Sequence, residues 1–269
     1  MSGFSADWLE LREPYDLRAR NPTVLDAVAT FLKQRSPVRI VDLASGTGST
    51  LRALNSRLPT QQIWRLIDND VGLLNRATAT PLAKEVVVTA IPLDLGRDFR
   101  AALDGAIDLV TMSALLDLVS DTWLDQFAAA VAGRSIPVYA ALSYDGQTRF
   151  APPDPFDAAM TGAVNAHQRT DKGFGASLGP TAAAFAIARF EELGYSVMYG
   201  TSDWAIGPED RDIQTEILAR WASAAHDLGA LPLADTTAWI MRRRAAVAAG
   251  CSSLCVGHVD FFATPIATR

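Results

Sequence analysis

The stretch VRIVDLASGTGSTLRALN, residues 38–55, decides the fold. Its first half is short and nearly all apolar, as a strand buried on both faces of a parallel sheet must be. Its second half has helical spacing. Between them stand Gly46 and Gly48, which remove Cβ atoms where the chain turns and let a ligand approach the backbone. The helix beyond offers unpaired N–H groups at its start. A dinucleotide-binding turn needs G-x-G-x-x-G, and Leu51 stands where the third glycine belongs. No Gly-Lys-Ser/Thr follows, so this is not a Walker phosphate loop either. What remains is Asp42, a carboxylate at the strand end just before the paired glycines. That combination suits a ligand with a positive or hydrogen-bond-donating part, not a polyphosphate.

Working outward, strands and helices alternate. TVLDAVATFLKQR (23–35) is a helix opened by Asn21-Pro22. QIWRLID (62–68), EVVVTAIPLD (85–94), AIDLVTMSALL (106–116) and IPVYAALSY (136–144) read as further strands, with VGLLNRATATPLA (71–83), DFRAAL (98–103) and DTWLDQFAAAVAG (121–133) as helices between them. This order implies βαβ units and a doubly wound α/β fold on a mostly parallel sheet. Ligands bind such sheets beyond the carboxyl ends of the strands. The residues to inspect are therefore 42–48, 68–70, 94, 113–117 and 144–146. Past residue 146 the chain turns polar and rich in Gly and Pro. A helix (180–194), a sixth strand YSVMYGTSDWAI (195–206), two helices and a last strand SLCVGHVDFFATP (253–265) follow.

An acid ends each of the second and third strands. Asp68 is placed to accept ribose hydroxyls, with Asp70 in reserve, and Asp94 to accept an exocyclic amine such as that of adenine. Each would also serve as a helix N-cap. In this order and at these spacings, VDLASGTGS, LIDND, PLDL and DLVTMSALLDLV resemble the class I S-adenosylmethionine-dependent methyltransferases, over about residues 21–144. One departure is Ala44, where that family usually has glycine.

The resemblance implies a Rossmann-like methyltransferase fold with a seven-stranded sheet, S-adenosyl-L-methionine as cofactor, and a helical insertion (208–250) before the last strand. It places Asp42, Ala44, Ser45, Gly46 and Gly48 around the methionine and ribose. Asp68 with Asn69 would hold the ribose, and Asp94 with Leu95 would meet the adenine. Ser113 and Ala114 would line the reactive end. An N-terminal segment (1–22) would cover the cofactor, with Arg20 contributing, and residues 145–180 would form a substrate-side lid, the whole being one domain over 1–269.

Methyl transfer asks for alignment of a nucleophile and, where it must lose a proton, a base. Candidates are Tyr144, Asp145 and His167, the last within the polar run NAHQRTDKGFG (165–175). Asp117, His226 and His258 read as structural residues, and the tryptophans as core.

The net charge is -6 over 269 residues with no long basic run, which disfavours a nucleic-acid partner. Two cysteines make neither a disulfide framework nor a four-ligand zinc site, and no metal is expected. No apolar run reaches membrane-spanning length and no signal-peptide pattern opens the chain, so the expectation is a cytoplasmic enzyme with a small-molecule acceptor and no membrane partner. The sequence leaves the oligomeric state open. No Asn-Pro-Pro-aromatic motif follows the fourth strand, and this keeps a second reading in view: a regulatory protein that binds the cofactor or its demethylated product, S-adenosylhomocysteine, without catalysis.

Overall fold

The computed structural model describes residues 4–79 and 82–266. Residues 1–3 of the covering segment, 80–81 of the helix expected over 71–83, and 267–269 lie outside the described residues.

The chain opens with α1 (Ala6–Ala19) and α2 (Pro22–Leu32), then β1 (Val38–Leu43), α3 (Ser49–Leu54), β2 (Gln62–Asp68), α4 (Val71–Ala79), β3 (Val86–Pro92), α5 (Leu95–Ala102) and β4 (Leu109–Ser113). It continues with α6 (Asp121–Ala132), β5 (Val138–Ala151), α7 (Asp157–Gln168), α8 (Ala182–Glu192), β6 (Tyr195–Thr201), β7 (Trp204–Ile206), α9 (Arg211–Leu228), α10 (Leu233–Ala248) and β8 (Ser253–Pro265). Capping follows the sequence: Asn21 accepts the N–H of Val24 ahead of Pro22 at the first turn of α2, and Ser120 caps α6 through Trp123.

The strands form one sheet in the order β3-β2-β1-β4-β5-β8-β6, with β7 paired to β8. The first five are parallel, and β8 runs antiparallel to its neighbours. One face packs α5, α6 and α8 around Trp123, Phe127, Phe190 and Phe261. The other packs α2, α3 and α4 around Leu32, Leu54 and Trp64.

The sheet has eight strands where seven were expected. The run 195–206 is broken because Ser202 and Asp203 peel away to bind His258: the Ser202 N–H donates to its carbonyl at 2.8 Å and Asp203 Oδ1 accepts its N–H at 3.2 Å. Pairing resumes where Trp204 meets Val256. The fifth strand also outruns its expected end at residue 144. A register shift between Tyr144 and Thr148, with Gly146 at φ 85°, bends β5 onward to Ala151, where it pairs with Ser253 of β8.

That overhang carries a third core, which holds α7, α9 and α10 around Met160, Ile213, Trp221 and Trp239. Trp239 Nε1 donates to Asp157 Oδ1 at 2.8 Å, and Arg243 pairs with the same carboxylate. The insertion is thus tied to α7 and packs on the overhang of β5 and β8 through Phe150, Leu254 and Val256. Among the described residues no helix is long and apolar enough to cross a membrane.

Candidate cofactor and acceptor site

Just past β1 the backbone turns through left-handed conformations at Ala44 (φ 50°), Gly46 (φ 52°) and Gly48 (φ 84°). Glycine is needed here for space as well as for φ. A Cβ on Gly46 would lie 3.2 Å from Leu9 Cδ1, and one on Gly48 would lie 3.2 Å from Ala77 Cβ. Ala44 carries a Cβ in a conformation that costs an alanine about 1–2 kcal/mol. Ala114 (φ 50°), just past β4, and Leu142 (φ 54°), in β5, share that strain. Ala44 and Ala114 lie just past the carboxyl ends of the adjacent strands β1 and β4, where strain of this kind often marks functional sites, while Ser135 (φ 52°) shares the conformation ahead of β5.

Asp68 ties the turn down. Its Oδ2 accepts the Gly46 N–H at 2.8 Å and its Oδ1 the Asp70 N–H at 2.9 Å. Burial pushes its carboxyl up while these donors pull it back. Asp42 is fully buried, with Oδ1 accepting the Thr111 hydroxyl at 2.7 Å and Oδ2 without a partner. Burial pushes its carboxyl up to about 7 against the pull of Thr111 and Arg20.

Arg20, buried between α1 and α2, reaches Tyr139 Oη (3.2 Å), Ser113 Oγ (3.3 Å) and Thr50 Oγ1 (3.4 Å), and its Nε has no partner. Helix α1 lies over the turn and is fixed there by Glu13, whose two oxygens accept from Arg52 Nε (2.5 Å) and Nη2 (2.6 Å); Arg52 Nη1 also donates to the Thr47 carbonyl at 2.6 Å. The hydroxyls of Ser45 and Ser49 are buried without partners as well. One buried acceptor and several buried donors converge on a single turn, and buried polar groups need partners. The set fits the zwitterionic end of an amino acid, with Asp42 Oδ2 toward its ammonium and Arg20 toward its carboxylate. Asn69 is exposed beside Asp68. Asp94 sits apart, capping α5 through the Gly96 N–H at 3.0 Å and pairing with Arg97 at 3.2 Å, while Leu95 is buried.

The carboxyl end of β4 and the middle of β5 bring a second group together. Asp117 is 5% exposed; Gln168 Nε2 reaches its Oδ2 at 3.4 Å and its Oδ1 has no partner. Burial pushes this carboxyl up to about 6, against the positive charges of Arg12 and Lys172. Tyr144 Oη donates to Asn165 Oδ1 at 2.8 Å, and the Tyr144 ring packs 6.1 Å from that of His258. His258 is buried, pushed down to about 3 by burial and Arg12, and therefore neutral. Arg12 lies over the Trp204 ring at 4.9 Å and pairs with Asp16, which also accepts from Trp204 Nε1 at 3.0 Å.

Of the three residues expected to act on the acceptor, only Tyr144 is in this group. Asp145 is turned toward the β8 edge: it accepts the Gln147 N–H at 2.8 Å, and a Cβ on Gly257 would stand 2.2 Å from its Oδ1. As adjacent residues of β5, Tyr144 and Asp145 face opposite sides of the strand. His167 lies at the rim, in the last turn of a helix that takes in the first part of the expected loop. It stands 3.4 Å from Lys172 Nζ and 3.7 Å from Asp227, with its imidazole held down by burial and Lys172. Asp117, Arg12, Asp16 and His258 were read as structural or passed over. Asp117 closes the strand-end window 113–117 and was the most legible of them.

No protein-family model matches the chain, and no curated protein matches its sequence. Solved structures do resemble it. The cyclopropane synthase MmaA2 of Mycobacterium tuberculosis aligns over 97% of this chain and 94% of its own, with 9% identity and a TM-score of 0.53. A cyclopropane-fatty-acyl-phospholipid synthase-like protein from Lactobacillus casei aligns over 97% and 95%, with 16% identity and a TM-score of 0.55. At such identities the likeness is one of fold. With the strand order, it gives the chain a Rossmann-like methyltransferase fold.

Proposed function

We propose that the protein is an S-adenosyl-L-methionine-dependent methyltransferase acting on a small molecule. The observation that carries this reading is the pair of buried, unpartnered atoms Asp42 Oδ2 and Arg20 Nε at a turn covered by α1. Arg20 would hold the cofactor's carboxylate, Asp42 its ammonium, Asp68 the ribose hydroxyls, and Ser113 with Ala114 the reactive end. Asp94 and Leu95 would border the adenine at the open edge. Bound there, the cofactor supplies an already activated methyl group, so the chain must chiefly align the acceptor and exclude water.

Helix α1 serves that exclusion, because Trp8, Arg12 and Asp16 are buried on its inner face. Tyr144 would orient the acceptor, with His167 at the entrance. Burial of Arg12, Asp16, Asp117 and Tyr144 beneath α1 and α7, together with the acidic balance, favours a small acceptor over a nucleic acid. Both cysteines are free, which fits a reducing, cytoplasmic setting.

Calorimetry with S-adenosylhomocysteine and NADPH, followed by methyl transfer from labelled S-adenosylmethionine into a metabolite extract, tests the reading. Binding of NADPH alone would sink it. Binding of S-adenosylhomocysteine with no transfer would leave a cofactor-binding protein that does not catalyse.

A further inference from the structure

The inner wall between α1, β4 and β5 carries hydrogen-bond acceptors left free among the described residues. Asp117 Oδ1 is buried and unpartnered, and Oδ2 has only the long contact from Gln168. The Tyr144 hydroxyl gives its proton to Asn165 Oδ1, while the Asn165 amide is taken by the Gly146 carbonyl at 3.0 Å, so the lone pairs of Tyr144 Oη stay unclaimed. The neighbouring cations are committed elsewhere. Arg12 forks onto Asp16 at 2.9 and 3.1 Å, and Lys172 donates to Thr170 Oγ1 at 2.8 Å and sits against His167. His258 Nδ1 faces the Val256 carbonyl at 3.0 Å.

Asp117 Oδ1, a buried acceptor without a donor, and the free lone pairs of the Tyr144 hydroxyl together suit a ligand bringing two donors. A hydroxyl supplies one proton, a carboxylate or phosphate supplies none and is repelled by Asp117, and a primary amine supplies both. The Tyr144, His258 and Trp204 rings beside the two acceptors suit an arylmethyl or similarly flat body, with Tyr144 and His258 at 6.1 Å and His258 and Trp204 at 5.2 Å between centroids.

We propose that Asp117 and Tyr144 form a nitrogen subsite, and that the acceptor is a primary amine whose N–H groups they receive. The proposal rests on the methyl-transfer reading for its meaning, but its binding chemistry is separable. The amine binds as its ammonium; passing one N–H proton to the Asp117 carboxylate frees the lone pair that an N-methylation needs, and Asp117 keeps that proton as the methylated amine forms.

The test is calorimetric titration of the full chain, saturated with S-adenosylhomocysteine, with benzylamine, benzyl alcohol and benzoate. Benzylamine is expected to bind about tenfold or more tightly than benzyl alcohol, with benzoate weakest. Asp117→Asn should erase that preference while holding S-adenosylhomocysteine affinity within about twofold. Tyr144→Phe should weaken benzylamine severalfold and keep the ranking. Equal binding of the three probes overturns the proposal. So does a preference that survives Asp117→Asn, or no benzylamine binding by protein that binds S-adenosylhomocysteine. Should Asp117→Asn not fold, the wild-type ranking and Tyr144→Phe still decide. Protein that ranks the probes as expected yet binds no S-adenosylhomocysteine would keep the nitrogen subsite and remove the methyl-transfer reading.

Discussion

Asp68 Oδ2 accepts the backbone N–H of Gly46 at 2.8 Å, so the end of the second strand holds the turn that leaves the first. The same carboxylate takes the Asp70 N–H, and its removal strands two backbone donors. Asp68→Ala is expected to lower stability by about 1–3 kcal/mol and S-adenosylhomocysteine affinity by a similar amount. Denaturant unfolding and calorimetry check this. Asp68→Asn, which keeps one acceptor oxygen, should fall between.

Protonation of Asp42 sets a pH dependence. Burial raises its carboxyl to about 7, whereas an unfolded chain releases that proton near about 3.9. The folded state thus binds more protons across this interval, and stability falls as pH rises. The contribution is complete below about pH 4 and lost as pH rises through about 7. Asp117, raised to about 6, acts with the same sign. Melting temperatures from pH 4 to 8 should show the decline, and Asp42→Asn should flatten it. Ligand binding runs the other way, because an ammonium group needs the charged carboxylate. S-Adenosylhomocysteine affinity should rise severalfold from pH 6 to pH 8 in the wild type and much less in Asp42→Asn.

The fork between Glu13 and Arg52 fastens α1 across the turn, with side-chain exposures of 18% and 23%. Glu13→Gln keeps the shape and removes the charge. It should cost only about 1 kcal/mol in global stability, as expected for a partly solvated pair. Amides of α1 should exchange faster with solvent, and S-adenosylhomocysteine should dissociate faster. Hydrogen exchange and stopped-flow release measure these, and unchanged α1 protection would count against the fastening role.

Ala44 holds φ 50° with a Cβ attached. Ala44→Gly relieves about 1–2 kcal/mol of left-handed strain and adds about 0.5–1 kcal/mol of unfolded-chain entropy. A small net gain in melting temperature is expected. A loss would mean that the Ala44 methyl makes packing contacts worth more than the strain.

The parts of this site nearest the sheet were readable from sequence because they follow from local order. An apolar run, two glycines and acids at strand ends locate Asp42, Gly46, Gly48 and Asp68 without any knowledge of distant contacts. The group around Asp117 and Tyr144 was readable only in part, since both fall in strand-end windows but the partners packed against them do not. Asp16 meets Trp204 across 188 residues, and Tyr15 donates to Asp210 across 195. No local spacing encodes such meetings. Asp145 stands apart from Tyr144 because successive side chains of β5 face opposite sides of the sheet. The run 195–206 failed as one strand because Asp203 hydrogen-bonds the backbone of a strand more than fifty residues later.

The position of β8 bears on how the protein is made. It lies between β5 and β6, and its residues, 253–265, are the last strand of the described chain to leave the ribosome. Until they emerge, β5 is complete on its β4 side and bare on the other, along a strand with Tyr139, Ala140 and Ala141 buried in the finished fold. From the completion of β5 at residue 151 until β8 begins at residue 253, a nascent chain therefore carries an open, apolar strand edge, a state that invites pairing between chains. Closing it requires long-range pairing, the slow kind of folding step. Fast expression should thus favour aggregation of this protein, and slower synthesis or chaperone capacity should favour its recovery.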